Sequence, residues 1–381
     1  SASSTLARQE IGLPLLREGL RPLDRVLGAA QRSGQEGLEA QAVGQRHREA
    51  AEDRLLRGAG RHAARDDRQL DHRRNGSLSH SWNEATADYS LNLSLTGDLT
   101  VNGAIDVRPC GYPQMAGPGY VNIGVGSCYG GRGYLAPANK TYGSLLNPTH
   151  LGSGAYYESG GGAARLNVAG NVVLNGSILA NAYPMDNVEP SGGTVWLQVG
   201  TLTGSGSVDA SGGRLNASFS ERGGGGGRIA LRLTNSATYG GVTLTAHGGA
   251  GGPGDPAGIA GAGTIYIEKM TDAPGQGTVI IDNSGLATNA YMTELPPAST
   301  TFPCTDDLSR VRFILTNRAQ VSLTTNVLLG DVLLGPNTWF YLNNYTCMVR
   351  ETRHPLAGVI VTNGAGVFLW RPARGTAFAV R

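Results

Sequence analysis

Apolar and other residues alternate in short runs over most of the chain after Tyr89, which is the pattern of β-strands. The first run of apolar positions comprises Leu91, Leu93, Leu95, Leu99, Val101, Ile105 and Val107. Every second side chain of a strand points to the same face of a sheet. These positions therefore predict strands that bury one face and leave the other face polar.

Three segments between residues 163 and 267 repeat this pattern: AARLNVAGNVVLNGSILANA, TVWLQVGTLTGSGSVDASGG and RIALRLTNSATYGGVTLTAHGG. Each contains two short alternating runs, separated by Gly or Asn-Gly and closed by a Gly-rich turn. Their starting points at Arg165, Val195 and Ile229 recur at intervals of roughly thirty residues, which indicates stacked repeats. The pattern predicts an all-β parallel β-helix, in which corner Asn side chains bond to their counterparts one coil away.

The remaining chain divides by composition. Residues 75–285 are predicted to form the Gly-rich solenoid, interrupted at 109–163 by an insertion rich in Gly, Pro and Tyr that we expect to carry a binding surface. TIYIEKM at 264–270 and TVIIDNSG at 278–285 predict one further coil. The pattern lapses between Leu286 and Asp307, and residues 286–381 are predicted to add coils or a capping β module.

Residues 1–74 have a different composition, with no Phe, Tyr, Trp, Cys, Met, Asn or Lys. We expect a disordered or marginally helical leader, because this stretch has little apolar surface to bury. The abrupt change near Asn75 leaves open the alternative that the leader is translated out of frame. The formal net charge of the whole chain is only +2, which argues against a nucleic-acid partner.

No metal or cofactor motif stands out. The four cysteines, Cys110, Cys128, Cys304 and Cys347, have no zinc-ligand spacing, although pairing of the first two and of the last two would suit an exported protein. GGPGDP at 251–256 is close to a calcium-binding turn, but its Asp comes one place early, so calcium is only an alternative. There is no nucleophile elbow, no H-E-x-x-H and no apolar run of 18 residues.

The strings LNGSILANA, GSGSVDASGG, GGGGGRIAL and GAGTIYI resemble those of Gly-rich right-handed parallel β-helix proteins of bacterial surfaces, such as filamentous adhesin and autotransporter passenger repeats. The resemblance implies a right-handed β-solenoid at the cell surface or outside the cell, with a structural or adhesive role in contact with polysaccharide. The same architecture also carries pectate-lyase-like enzymes, so a polysaccharide lyase or glycoside hydrolase is the alternative.

Six residues in or beside the insertion are the candidates for such chemistry: Glu158, Arg165 and Lys140 for catalysis, and Tyr156, Tyr157 and Arg132 for sugar binding. A basic or acidic side chain would transfer the proton, a cation would neutralise a uronate, and a tyrosine ring would stack on a sugar. A pocket that unites Glu158 and Arg165 would indicate an enzyme. A flat face of Ser, Thr and Asn would indicate adhesion.

Overall fold

The computed structural model describes residues 69–72, 76–84, 89–183, 190–213, 222–251, 258–288, 290–351 and 353–371. This part of the chain contains 22 β-strands and no α-helix, which confirms the all-β prediction at the level of fold class. It therefore holds no helix that could cross a membrane. The predicted leader lies outside the described residues except for positions 69–72, and the calcium-like turn lies outside them except for Gly251.

The strands, numbered in chain order, form four sheets. The ten-stranded sheet contains β1 (Gln69–His72), β3 (Leu91–Leu95), β4 (Asp98–Val101), β6 (Ala163–Leu174), β8 (Thr194–Thr203), β10 (Arg228–Leu233), β12 (Thr264–Glu268), β13 (Thr278–Asp282), β15 (Arg312–Thr316) and β18 (Asp331–Leu334). The five-stranded sheet contains β2 (Ser77–Leu78), β5 (Ala104–Asp106), β7 (Ser177–Leu179), β9 (Ser207–Asp209) and β11 (Thr243–Thr245). The four-stranded sheet contains β14 (Thr293–Leu295), β16 (Gln320–Leu323), β19 (Trp339–Tyr341) and β21 (Val359–Val361). The three-stranded sheet contains β17 (Val327–Leu329), β20 (Thr346–Val349) and β22 (Val367–Trp370).

From β4 to β12 the chain alternates between the ten-stranded and five-stranded sheets, and each strand pairs in parallel with its counterpart one turn earlier. The aligned residues Ala163, Thr194, Arg228 and Thr264 lie 31, 34 and 36 positions apart. These intervals agree with the predicted repeat of about thirty residues. The sheets are mostly parallel, and their arrangement is compatible with a β-helix or solenoid.

Stacked apolar side chains fill the space between these two sheets. One row consists of Ala164, Val195, Ile229 and Ile265, which are aligned across β6, β8, β10 and β12 and are at most 5% exposed. A second row two positions further on consists of Leu166, Leu197, Leu231 and Ile267. Each side chain finds its apolar partners in the coils above and below it, so the core extends along the stack.

The predicted register is wrong by one residue at Arg165. The sequence pattern placed Arg165 level with Val195 and Ile229, whereas the structure aligns it with Trp196 and Ala164 with Val195. A shift of one residue moves a strand side chain to the opposite face of the sheet. Arg165 therefore lies on the outer face of the ten-stranded sheet, where it is exposed.

The two segments predicted to form one more coil, 264–270 and 278–285, pair instead as an antiparallel hairpin of β12 and β13. A tight turn connects the two strands and reverses the chain direction. Asp272 accepts a hydrogen bond from the Lys269 amide at 2.9 Å, and Gly275 has a φ of 74°. The strands that follow in the ten-stranded sheet consequently run opposite to β12.

After this reversal, the chain visits three sheets in turn from β15 to β20. The aligned pairs Arg312 with Asp331 and Gln320 with Trp339 lie 19 positions apart, and Val327 and Cys347 lie 20 positions apart. Residues 312–370 therefore form parallel coils with a shorter repeat. Their interior is a separate apolar cluster that includes Phe313 and Phe340.

A layer of glycine backbone closes the third side of the longer coils. We call it the glycine layer, and it consists of Gly126, Gly130, Gly131, Gly133, Gly152, Gly160, Gly161, Gly192, Gly193, Gly223, Gly225, Gly226, Gly227, Gly248, Gly249, Gly261 and Gly263, all buried. Its segments bond backbone to backbone, for example from Gly130 N to Gly226 O at 2.9 Å and from Gly226 N to Gly261 O at 3.0 Å. The φ angles of these glycines are outside the left-handed region. The glycines are needed because a Cβ atom would collide with neighbouring backbone.

The insertion packs against the coils rather than extending from them as a free loop. Tyr129, Tyr142 and Leu145 are fully buried, and two carboxylates from the segment where the pattern lapsed hold the insertion in place. Glu294 accepts hydrogen bonds from Thr141 N at 3.1 Å and Thr141 Oγ1 at 2.7 Å. Asp306 accepts from Ser144 Oγ and Leu145 N, each at 2.6 Å.

The four cysteines are free, so the suggested pairings do not occur in this structure. Cys110 lies near Ser79 and Cys128 accepts from Gly133 N, while Cys347 lies in the core of the shorter coils. Burial raises the pKa of the Cys110, Cys128 and Cys347 thiols to about 12. These three side chains act as buried apolar groups.

Candidate carbohydrate-binding face

The outer face of the ten-stranded sheet carries rows of uncharged polar side chains beside the insertion. We call this surface the polar shelf, and it consists of the uncharged residues Ser94, Asn167, Asn171, Gln198 and Thr201 together with the cation Arg165. Strand β6 sets its position, because Leu166 and Val168 point into the core while Arg165 and Asn167 alternate with them and point outward. The strand is parallel to β8, so polar residues of one coil lie level with polar residues of the next.

Hydrogen bonds between neighbouring coils order the side chains of the shelf. Thr201 Oγ1 donates to Asn171 Oδ1 at 2.8 Å, and Gln198 Nε2 donates to Asn167 Oδ1 at 3.5 Å. At the adjacent corner, Asn175 Nδ2 donates to Asn102 Oδ1 at 2.9 Å, which confirms the predicted bonding of stacked Asn side chains. The result is a row of amides and hydroxyls linked from one coil to the next by hydrogen bonds.

Arg165 is the charged group of the shelf. Its guanidinium carbon lies 4.2 Å from the centroid of the Trp196 ring, which is within cation–π distance. No carboxylate among the described residues lies within ion-pair distance of Arg165. Stacking fixes the plane of the guanidinium while leaving its N–H edge free to donate hydrogen bonds.

The insertion forms the boundary of the shelf. Leu145 and Leu146 pack with Trp196, Ala230 and Tyr266 on the outer face of the sheet. Trp196 is only 5% exposed, whereas Arg165 one strand away is exposed. The insertion therefore covers part of β8, β10 and β12 and leaves the outer face of β6 open.

Glu158 lies in an exposed turn of the insertion together with Tyr156 and Tyr157. The two tyrosine rings pack edge to face with their centroids 4.5 Å apart, and Tyr157 is 49% exposed. Partial burial raises the pKa of the Glu158 carboxyl. No described contact joins Glu158 to Arg165 or to Lys140, so the pocket that would have united the catalytic candidates is not formed by direct contacts.

Arg132 and Lys140 lie at the seam between the insertion and the segment around Glu294. Arg132 donates to Ala136 O at 2.5 Å, and its Nε lies 3.9 Å from Glu294 Oε1. The Glu294 carboxylate also accepts from the amides on either side of Lys140. The Arg132 side chain is 14% exposed and also packs at 5.8 Å over the ring of Tyr291. These contacts give Arg132 a part in anchoring the insertion.

Sequence reasoning missed Trp196, Asn167 and Gln198 as members of the site. The signal was present in the alternation of β6 and β8, since outward residues of both strands share one face. The one-residue error at Arg165 concealed it, because that register counted Arg165 with inward positions.

Among the described residues, no three His, Cys, Asp or Glu side chains come together in a way that could hold a metal ion. Comparison with known proteins adds no further guide: no family model, curated protein or solved structure matches the chain.

Proposed function

We propose that this protein is a secreted or cell-surface right-handed β-solenoid with a structural or adhesive role, which contacts polysaccharide through the polar shelf. The alternation of strands between two parallel sheets supports the solenoid. The resemblance of its Gly-rich strings to bacterial surface repeats supports the location and the role.

The observation that carries the proposal is the polar shelf, with its side chains bonded between coils and Arg165 stacked on Trp196. Polysaccharides offer many hydroxyl groups at regular spacing, and stacked rows of amides and hydroxyls can donate to them and accept from them. The side chains of the shelf are already ordered by hydrogen bonds between coils, so binding would cost little further ordering. Polar groups that repeat from coil to coil suit an extended polymer with repeating units better than a small molecule.

Retention in gels that contain dissolved polysaccharide tests this proposal. We expect at least one neutral or acidic polymer to slow the migration of the wild-type protein. The apparent affinity of the double variant Arg165→Ala, Asn167→Ala for that polymer should be about tenfold lower. Arg310→Ala with Thr325→Ala is the control, because both side chains are exposed in a part of the chain remote from the shelf and neither residue has a left-handed backbone.

Free migration of the wild-type protein through every polymer would refute the proposal. Equal retention of the shelf variant and the control would refute the assignment of binding to the shelf.

A polysaccharide lyase or glycoside hydrolase is the second candidate function, and one observation favours it. Partial burial raises the pKa of Glu158, which follows Tyr156 and Tyr157 in the same turn, and a raised carboxyl pKa favours the protonated form that a general acid uses. Release of reducing ends or of unsaturated products from a polysaccharide panel, lost in Glu158→Gln, would establish the enzyme. Binding without any product would leave the adhesive function in place.

A further inference from the structure

A second polar cluster lies on the outer face of the five-stranded sheet, away from the polar shelf. Hydrogen bonds from Val107 N to Leu179 O and from Ala180 N to Asp209 O, each at 2.8 Å, continue the parallel pairing beyond the ends of β5, β7 and β9. The residues Val107, Ala180 and Ala210 are fully buried in the core. Their neighbours Arg108, Asn181 and Ser211 therefore point to the outer face.

The cluster contains one ion pair and one aromatic ring. Arg108 binds Asp106 with both ends of its guanidinium group, from Nε to Oδ1 at 2.9 Å and from Nη2 to Oδ2 at 2.6 Å. The Asp106 carboxylate is the main cause of the raised pKa of Arg108. The Arg108 guanidinium carbon also lies 5.4 Å from the ring centroid of Tyr183, which is 41% exposed. The tyrosine is thus placed beside the ion pair with much of its ring open to solvent.

The same cluster contains oxygen atoms that lack a partner. Asp209 uses Oδ1 to accept from Ser211 N at 2.8 Å, and its other carboxylate oxygen accepts no hydrogen bond from the described residues. Ser211 is 4% exposed, and its hydroxyl has no hydrogen-bond partner among the residues that the structure describes. The Asn181 side-chain oxygen beside it is also buried without a partner. Unpaired buried polar atoms are costly, so a group that donates hydrogen bonds would stabilise this cluster.

We propose that Asp106, Arg108, Asn181, Tyr183, Asp209 and Ser211 form a second sugar-binding site, which takes a neutral sugar residue of a polysaccharide. The inference rests on the proposed carbohydrate-binding function and extends it to a site of different chemistry. Ring hydroxyls of the sugar donate to the Asp209 carboxylate oxygen that accepts no other bond from the described residues, Arg108 donates to a ring or hydroxyl oxygen, and the apolar face of the sugar packs on Tyr183.

Charge distinguishes the sugar that fits this site from an acidic sugar. Arg108 and Asp106 neutralise each other, so the second carboxylate, Asp209, leaves the cluster with one net negative charge. A uronate would bring a further negative charge close to Asp209 and would be repelled. The polar shelf differs, because its one charged group is the cation Arg165.

The experiment measures affinity for a neutral polysaccharide and for polygalacturonate in gels, using the full chain. Asp209→Asn keeps an oxygen that can accept from Ser211 N, so the turn is retained while the charge and the free acceptor are lost. Asp282→Asn is the matched control, because Asp282 makes the same bond to the amide two residues later, Ser284 N, but lies in the ten-stranded sheet. We expect Asp209→Asn and Tyr183→Ala each to weaken binding of the neutral polymer by about tenfold, and Asp282→Asn to leave it unchanged.

The outcomes separate the two proposals. If the wild-type protein binds no polymer, the proposed function fails and the second site fails with it. If the wild-type protein binds and only the Arg165→Ala, Asn167→Ala variant weakens, the second site alone is wrong. If a calcium chelator abolished binding of the neutral polymer, the proposed direct contact between Asp209 and sugar hydroxyls would also be wrong.

Discussion

The coils before and after the β12–β13 hairpin close their third side in different ways. Coils from β4 to β12 repeat at 31 to 36 residues, use two strands per turn and complete the turn with the glycine layer. Coils from β15 to β20 repeat at 19 to 20 residues and complete the turn with a third strand. Backbone packing tolerates no added side chain, whereas packing of side chains can adjust by rotamer changes. The two regions should therefore respond differently to the same kind of substitution.

The largest expected difference concerns a single methyl group in the glycine layer. A Cβ atom at Gly263 would lie 1.8 Å from Gly227 O, and both groups belong to backbone that is held by hydrogen bonds. We expect Gly263→Ala to lower the free energy of unfolding by about 3 kcal/mol or more, as measured by denaturant unfolding. The longer coils should lose structure first.

Gly241→Ala is the control for this variant, since its nearest contact would be 3.3 Å from Gly204 O in a more open place. If both variants unfolded at the same denaturant concentration, the close backbone packing of the glycine layer would not be what stabilises the longer coils.

Acidification should weaken the longer coils through His80. This side chain is 1% exposed, with Nδ1 donating to Ser81 O at 2.8 Å and Nε2 accepting from Ala163 N at 3.3 Å. Burial lowers the pKa of His80 to about 4, from 6.5 in the unfolded chain. The neutral His80 ring therefore makes its full contribution to the free energy of unfolding above pH 6.5. This contribution, about 3 kcal/mol in total, is lost as the pH falls towards 4.

Unfolding free energies of the wild type and His80→Gln, compared between pH 7 and pH 4, measure this contribution. The explanation is wrong if both proteins lose the same amount, or if the His80 imidazole titrates near pH 6.5 in the folded protein.

A smaller effect is expected where the segment before the shorter coils holds the insertion. Asp306→Ala removes the acceptor of the buried Leu145 amide and of Ser144, which should cost about 2 kcal/mol. Asp307→Ala, next in sequence, removes only an exposed turn contact to Ser309 N and should cost much less. Proteolysis of the insertion should accelerate in the first variant and not in the second. Equal protection in both would mean that Asp306 does not anchor the insertion.

The sequence predicted the parts of the fold that depend on alternation, and it missed those that depend on contact between distant backbones. The inward positions from Leu91 to Val107 are buried as expected, except for Leu95, which is only partly buried, because period-two patterns report directly on which face is apolar. The run of glycines at 223–227 carries no side-chain pattern, so its burial against Gly131 and Gly261 could not be read from it. Likewise, Arg165 was recognised as a candidate, but its stacking on Trp196 depends on a register that Gly-rich spacers of varying length conceal.

The smallest expected effect has the opposite sign to that of His80 and lies in the shorter coils. His354 Nε2 donates to Asp331 Oδ1 at 2.9 Å and Nδ1 faces Pro355 O at 3.2 Å, so both ring nitrogens meet acceptors and the protonated ring satisfies both. The bond to Asp331 raises the pKa of His354, although Arg312, which also binds Asp331, opposes this. The contribution to stability is therefore complete below about pH 6.5 and is lost as the pH rises through the higher folded pKa.

Because the His354 ring remains partly open to solvent, its contribution should be below about 1 kcal/mol. Denaturant unfolding of the wild type and His354→Gln at pH 6 and pH 8 measures it, with an NMR titration of the imidazole as the direct readout. We expect the wild type to lose more stability than the variant on going to pH 8. Equal losses would show that the pair with Asp331 contributes nothing. Acid would then destabilise the longer coils through His80 without stabilising the shorter coils. The two regions would differ in pH dependence only through His80.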